Sequence, residues 1–125
     1  MELIERDRLP KENLPGRVIQ KAVGNDAFST SGKMTMGFAR YSDESGHMEP
    51  HNHAEEIVYI LSADRGWVRK GDEQENLGAK IPLKAGMTLH IPPLEWHVFE
   101  FEQGGHVDII FFYGQVDKIR PEEME

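Results

Sequence analysis

The sequence predicts an all-β barrel or sandwich, and three observations lead to that fold class. Short runs rich in β-branched and aromatic residues recur along the chain, 12 glycines and 7 prolines separate them, and no long segment has the period of an amphipathic helix. A chain of 125 residues can bury one core of ordinary size. We therefore expect a single domain over residues 1–125, with a flexible lead-in over about 1–15 and a charged tail over about 117–125.

Seven strands are expected, at 17–23, 33–41, 56–61, 66–70, 87–91, 96–101 and 106–116. Clusters of turn residues separate them, including "ADRG" after the third strand and "EQGG" after the sixth. The runs "EIVYIL" and "VDIIFFYG" are apolar at almost every position, which predicts that both of their faces are covered. A small barrel whose strands are apolar on both faces has exposed apolar surface that a second subunit can cover, so we expect a homodimer.

Composition excludes several classes of partner. The chain has 14 Lys and Arg against 22 Asp and Glu, a formal charge of −8, which repels nucleic-acid phosphates and anionic membrane surfaces. Cysteine is absent, which excludes disulfides, thiolate ligands and a cysteine nucleophile. No stretch approaches the roughly 18 consecutive apolar residues of a membrane span, and the N-terminus lacks the apolar core of a secretion signal. We therefore expect a cytoplasmic protein that binds neither nucleic acid nor membrane.

Two histidines in "HNHAEEIVYIL" are candidate metal ligands. His51 and His53 are alternate residues, so on a strand they share a face and lie roughly 7 Å apart along the backbone. Glu55 joins that face if the strand is unbroken, whereas Glu56 joins it only if a bulge or loop intervenes. A solvent-facing position on an edge strand is the alternative for any single His-x-His pair.

A third candidate ligand, His97, lies in "AGMTLHIPPLEWHVFE". Gly86 opens the preceding strand, Pro92 and Pro93 close it in a stiff turn, and His97 begins the next strand. Three imidazoles and one carboxylate form a ligand set suited to Fe, Mn, Ni, Zn or Cu(II).

Positions 46–66 and 86–101 resemble the two sequence motifs of the cupin superfamily. The first contains a glycine, His-x-His and a glutamate that leads into a strand, and the second contains Gly86, Pro92 and His97 in register. Only two residues separate His53 from Glu56, fewer than is usual in that family. The resemblance implies a double-stranded β-helix, or jelly-roll barrel.

The resemblance also implies one divalent transition metal, Fe, Mn, Ni or Zn. Its implied ligands are His51, His53, Glu56 and His97, with Glu55 as the alternative carboxylate.

Inward positions of neighbouring strands are expected to line the pocket beside the metal. By alternation these are Met36, Phe38, Arg40, Val58, Ile60, Phe99 and Phe101, with the neighbours of opposite parity as the alternative on the 33–41 strand. Arg40 is a candidate anchor for an anionic substrate, and a surface ion pair is its alternative role.

A small-molecule enzyme follows from the resemblance, with oxygenase chemistry ahead of isomerase or lyase chemistry. The latter needs a separate acid or base, for which His47 and Tyr59 are the candidates. The competing hypotheses are a non-catalytic module that binds or senses a small ligand, and a barrel that has lost its metal.

Overall fold

The computed structural model describes residues 1–120 and 123, and that part of the chain consists mainly of β-strands. A 3-10 turn at Arg6–Arg8 precedes them. The strands are β1 (Glu12–Leu14), β2 (Arg17–Gly24), β3 (Ser29–Thr30), β4 (Thr35–Ser42), β5 (Glu56–Gly71), β6 (Ile81–Pro82), β7 (Thr88–Ile91) and β8 (Trp96–Tyr113). The predicted all-β class is confirmed, and no helix in the described residues is long and apolar enough to cross a membrane.

The strands form one sheet that folds over into two layers. Its order is β1-β2-β4-β8-β5-β6, with β3 on β2 and β7 on β5, and only the β2–β3 pair is parallel. The second half of β8 pairs with β4 and with the start of β5, whereas the first half of β8 pairs with the end of β5. The rings of Tyr41 on β4 and Phe99 on β8 are 5.0 Å apart, so the two layers face each other across a core. This is the predicted jelly-roll arrangement.

Two expected turns are bends within continuous strands. The "ADRG" segment lies inside β5 and "EQGG" inside β8. Arg65 and Gly104 have φ values of 50° and 83°, the pairing shifts register between Asp64 and Gly66, and the Arg65 guanidinium donates to the Gln103 carbonyl at 3.2 Å. A β-bulge accepts extra residues and bends a strand without ending it. Turn chemistry alone therefore placed strand ends at two sites where the strands continue.

Alternate residues of the strands form the core between the layers. Val58 and Ile60 on β5 have no exposed surface, whereas Ile57 and Tyr59 between them are partly exposed. The buried apolar cluster includes Ile19, Ala39, Tyr41, Val58, Ile60, Val68, Phe99, Phe101, Val107, Ile109, Phe111 and Tyr113. The period of two along β5 thus decides which side chains face the interior.

Both terminal segments contact the sheet. In the lead-in, which the sequence predicted to be flexible, the Arg6 guanidinium donates to both carboxylate oxygens of Asp108 at 2.7 Å, and Leu9 is 3% exposed. In the predicted tail, Ile119 is 1% exposed and belongs to the core. Positions 121, 122, 124 and 125 of that tail lie outside the described residues. The termini therefore make contacts that charge and composition did not indicate.

Candidate metal centre

Three histidines from the two sequence motifs meet inside the fold. His51, His53 and His97 each offer a ring nitrogen, and these atoms all lie within 4.8 Å of one another. The ring centroid of His97 lies 4.6 Å from that of His51 and 4.7 Å from that of His53. His51 and His97 also exchange two backbone hydrogen bonds, of 3.0 and 2.9 Å. An isolated β-bridge therefore holds the two motifs together.

The backbone determines which ring nitrogen of each histidine carries the proton. Each Nδ1 atom lies 2.8–3.0 Å from a carbonyl oxygen, and the three acceptors, in order along the chain, are those of Glu49, Ala54 and Glu95. A carbonyl oxygen can only accept, so each Nδ1 donates and each Nε2 carries a lone pair. Metal-binding histidines are typically oriented by such a hydrogen bond from the second nitrogen.

The Nε2 atoms of His53 and His97 are only 3.1 Å apart. Because both Nδ1 atoms already carry hydrogen, a hydrogen bond between these Nε2 atoms requires one ring to be a cation. Burial, followed by the charge of His51, lowers the pKa of His97 to about 4, so this ring is neutral near pH 7. Adjacent ligands of an octahedral ion with metal–nitrogen bonds of about 2.1 Å are about 3.0 Å apart. The spacing therefore fits a shared transition-metal ion.

Glu56 places a carboxylate beside this cluster. It begins β5, is buried, and its Oε1 lies 3.5 Å from His53 Nε2. Burial raises the pKa of Glu56 to about 8, while a hydrogen bond from Tyr113 and the charges of Arg120 and Arg17 oppose the rise. A cation between the imidazoles would add a further stabilising charge. Glu56 is thus positioned to share that cation with His53.

The structure corrects the alternative assignment of Glu55 as the carboxylate ligand. Glu55 Oε2 lies 2.6 Å from His90 Nε2, and the two side chains are 57% and 61% exposed. His51 and His53 precede β5 in a segment that is not a regular strand, so their alternation does not continue into it. The strand begins at Glu56 with that residue facing inward, and Glu55 faces the opposite side.

The predicted wall on β4 has the opposite parity. Gly37, Ala39 and Tyr41 are the inward residues of this strand. Met36, Phe38 and Arg40 face outward, so the first choice of the sequence analysis is wrong and its stated alternative is correct. A bulge between Lys21 and Val23 of β2 and the pairing with β8 set this register, which the β4 sequence does not encode. Arg40 lines an outer groove together with Arg6 and Asp108.

The two proposed acid or base residues lie away from the cavity at the histidines. Tyr59 is 40% exposed on the outer face of β5, which corrects that assignment. The His47 ring stacks on Phe101, with centroids 4.9 Å apart, and is exposed. Four other predicted pocket residues, Val58, Ile60, Phe99 and Phe101, are buried in the core.

Two cavities adjoin the centre. A cavity of about 20 Å³ touches all three histidines and Glu56, and its other walls include Tyr41, Phe111 and Tyr113. A second cavity of about 330 Å³ reaches His97 and has a mainly aliphatic lining. Its apolar lining includes Val68, Leu83, Leu89 and Ile91. The volume lies at the lower end of the range of small-molecule sites.

Sequence reasoning missed five residues of the small cavity, namely the apolar Ile19 and Phe111 and the polar Arg17, Tyr113 and Arg120. Tyr113 had a signal, because it shares the parity of Phe111 on β8. Arg17 opens a strand that is otherwise largely apolar, which could have drawn attention to it. Arg120 had no signal, since it lies among charged residues of a predicted tail.

No known sequence family matches the chain, and no curated protein sequence matches it either. Solved structures do match. A protein from Planctomyces limnophilus has a TM-score of 0.70 at 19% identity, covering 94% of this chain and 91% of that one. The polyketide cyclase RemF from Streptomyces resistomycificus has a TM-score of 0.71 at 19% identity, covering 90% of this chain and 78% of its own. FeII HppE has a TM-score of 0.63 at 16% identity, covering 90% of this chain and 59% of its own.

At these identities the likeness establishes the fold. The chain is a cupin-like all-β protein. Its interior contains three histidines that could hold a metal ion.

Proposed function

We propose that this protein is a metal-dependent enzyme of the cupin superfamily that acts on a small organic molecule. In this proposal His51, His53, His97 and Glu56 hold one divalent transition metal. The observation that carries it is the convergence of ring nitrogens from three histidines whose Nδ1 atoms all donate to the backbone. Preorganised lone pairs of this kind repel one another unless a cation lies between them.

The donor set favours a catalytic ion over structural zinc. Structural zinc sites are generally closed at four ligands, whereas three imidazoles and a carboxylate leave positions open on a six-coordinate ion. Iron, manganese and nickel fit this set, and the similar fold of FeII HppE supports iron among them. When bound, the ion would polarise an oxygen of the substrate or bring substrate and dioxygen together.

Oxygenase chemistry is the favoured reaction. The side chains of Tyr41, Phe111 and Tyr113 restrict water beside the histidines, since the cavity there has only about 20 Å³. The aliphatic cavity of about 330 Å³ at His97 offers space for the carbon skeleton of a small substrate.

A second candidate is an isomerase, lyase or cyclase that uses no oxygen. The Tyr113 hydroxyl is hydrogen-bonded to Glu56 beside the histidines, and burial, with the charge of Glu56, keeps the pKa of Tyr113 well above its usual value. This hydroxyl therefore holds its proton at Oη and would act as a hydrogen-bond donor beside the histidines. RemF, a polyketide cyclase, shares the fold and supports this candidate.

The test begins with the metal content of protein purified without added metal. We expect close to one iron, manganese or nickel ion per chain, followed by oxygen uptake on a panel of catechols, thiols and diketones. Bound metal without oxygen uptake, together with isomerisation or cleavage of a keto acid or sugar, would replace the oxygenase with the second candidate. A protein that acquires no metal from any divalent ion offered would contradict the proposal and favour a non-catalytic binding module.

We also propose a homodimer formed through the outer face of the sheet. Ile57, Tyr59 and Phe112 are each at least 40% exposed, and Ile57 lies directly opposite Phe112 in the β5–β8 ladder. Adjacent exposed apolar residues of this kind are typical of subunit interfaces. Light scattering on a sizing column should give the mass of two chains, and Ile57→Glu should reduce it to one. A monomeric wild-type protein would refute the dimer.

A further inference from the structure

The turn between β7 and β8 contains a strained residue that is not glycine. Pro92 accepts a hydrogen bond from the Glu95 N–H at 3.3 Å, with Pro93 and Leu94 at the centre of the turn. Leu94 has a φ of 65°, where a turn with proline at the preceding position ordinarily has glycine. Its side chain is 56% exposed, so burial does not offset this strain. The contacts of the Leu94 backbone must therefore hold the conformation.

Both polar groups of the Leu94 backbone contact the segment that carries His51 and His53. The Leu94 N–H donates to the His53 carbonyl at 2.8 Å. The side-chain amide of Asn52 donates to the Leu94 carbonyl at 3.2 Å. These two bonds add to the pair of backbone hydrogen bonds between His51 and His97. One short segment thus supplies two candidate ligands and also holds the turn that precedes the third.

The same turn orients the ring of His97. The Glu95 carbonyl accepts a hydrogen bond from His97 Nδ1 at 2.8 Å, which leaves the lone pair on Nε2. Because Leu94 immediately precedes Glu95, the backbone conformation of Leu94 determines where this carbonyl oxygen lies. If Leu94 relaxed to a negative φ, the oxygen would move away from Nδ1 and the ring would lose its orientation.

We propose that Asn52 is a positioning residue of the histidine cluster. Its amide holds Leu94 in the strained conformation, and the turn then directs His97 Nε2 toward His53 before any ion binds. Residues that orient a metal-binding histidine typically affect metal affinity by roughly 10- to 100-fold. The consequence for metal affinity rests on the proposed function, whereas the orientation of the ring is a property of the metal-free chain.

The first measurement uses metal-free full-length protein and nuclear magnetic resonance of the imidazole nitrogens. In the wild type we expect His97 to carry its hydrogen on Nδ1, with slow exchange of that hydrogen with water. Asn52→Ala should accelerate this exchange by about fivefold, which corresponds to the loss of one ordinary hydrogen bond. Asn25→Ala is the matched control, because the Asn25 amide also donates to a backbone carbonyl, that of Val116, at 3.1 Å.

The second measurement is manganese affinity, determined by competition with a chelator. Asn52→Ala should lower it by about tenfold, the smaller end of the range for orienting residues, because the hydrogen bond is partly exposed. Asn25→Ala should leave it unchanged. Circular dichroism checks that each variant is folded. Should Asn52→Ala fail to fold, Asn52→Leu, which keeps the shape of the side chain and removes the donor, takes its place.

Rescue by glycine separates positioning from a general structural role. Glycine adopts a positive φ without strain, so the Leu94→Gly turn does not need the Asn52 amide. In the Leu94→Gly background, Asn52→Ala should therefore change both the exchange rate and the manganese affinity by no more than about twofold. A general loss of stability would persist in that background.

The outcomes that overturn the proposal are distinct from failure of the metal centre. The proposal is wrong if folded Asn52→Ala exchanges the His97 Nδ1 hydrogen at the wild-type rate, or if Asn52→Ala acts as strongly in the Leu94→Gly background as in the wild type. Faster exchange with unchanged manganese affinity would also overturn it. A wild-type chain that binds no ion would contradict the proposed function, and the exchange measurement would still test the role of Asn52 in orienting the ring.

Discussion

The small cavity has two walls that are built in different ways. The histidine wall is fixed by the backbone, since His51 and His97 pair through main-chain hydrogen bonds and all three Nδ1 atoms donate to carbonyl oxygens. The arginine wall brings together Arg17 and Arg120, from opposite ends of the chain. Arg120 is held there by side-chain contacts, with Glu123 among them.

This difference separates two tasks. A metal site requires ligands that keep their geometry, and backbone hydrogen bonds provide it at little entropic cost. A wall held by side chains can move where a ladder cannot. Changes in the histidine wall should therefore act on metal affinity, and changes in the arginine wall on local stability.

The largest effect should come from His97→Ala. Removing one of three converging nitrogens should lower metal affinity by more than the roughly 10- to 100-fold loss that is typical of mutating a residue that only orients a ligand. Metal content by mass spectrometry and competition with a chelator measure it, and circular dichroism checks the fold. His90→Ala is the matched control, because His90 is exposed and pairs with Glu55 outside the core. Unchanged metal content in folded His97→Ala would remove His97 from the ligand set.

The second largest effect should come from Glu56→Gln, which tests which glutamate belongs to the histidine wall. The amide keeps the shape but loses the charge, so metal affinity should fall by at least about 100-fold if Glu56 is a ligand, and by roughly 10- to 100-fold if it only orients the site. Glu55→Gln should change nothing, since that carboxylate faces His90 on the outside. The same chelator competition applied to both variants separates them. Equal losses in the two variants would contradict the assignment.

The two walls also differ in how far sequence could predict them. The ligand residues His51, His53 and His97 stand in two compact motifs, and the alternation of β5 indicated that Val58 and Ile60 face inward. The parity of β4 was not predictable, because it depends on pairing with β2 and β8. Arg120 was not predictable either. Its position follows from the docking of Ile119 in the core, and a charged segment with one isoleucine carries no periodic signal.

Because the position of Arg120 follows from the docking of Ile119, the arginine wall can be tested through the stability of the protein. Ile119→Ala removes a side chain that is 1% exposed, and buried Ile-to-Ala changes cost about 2–5 kcal/mol, with the lower end expected near a chain terminus that can relax. Denaturant unfolding measures the loss. Metal affinity should be nearly unchanged. Wild-type stability in this variant would show that the segment does not dock in solution.

The smallest effect concerns the other terminal segment, where an ion pair also holds the chain on the sheet. Asp108→Asn weakens the two 2.7 Å hydrogen bonds from the Arg6 guanidinium, and we expect a loss of about 1–2 kcal/mol because these bonds are charge-assisted but partly exposed. Denaturant unfolding and amide exchange near Leu9 measure it. Arg40→Gln is the control, since it removes an arginine of the same groove and leaves the Arg6–Asp108 pair in place. Metal affinity should stay at its wild-type value, since this pair lies on the outer side of the sheet. A change in metal affinity would mean that the lead-in is coupled to the interior, and the separation of the two walls from the outer face would then fail.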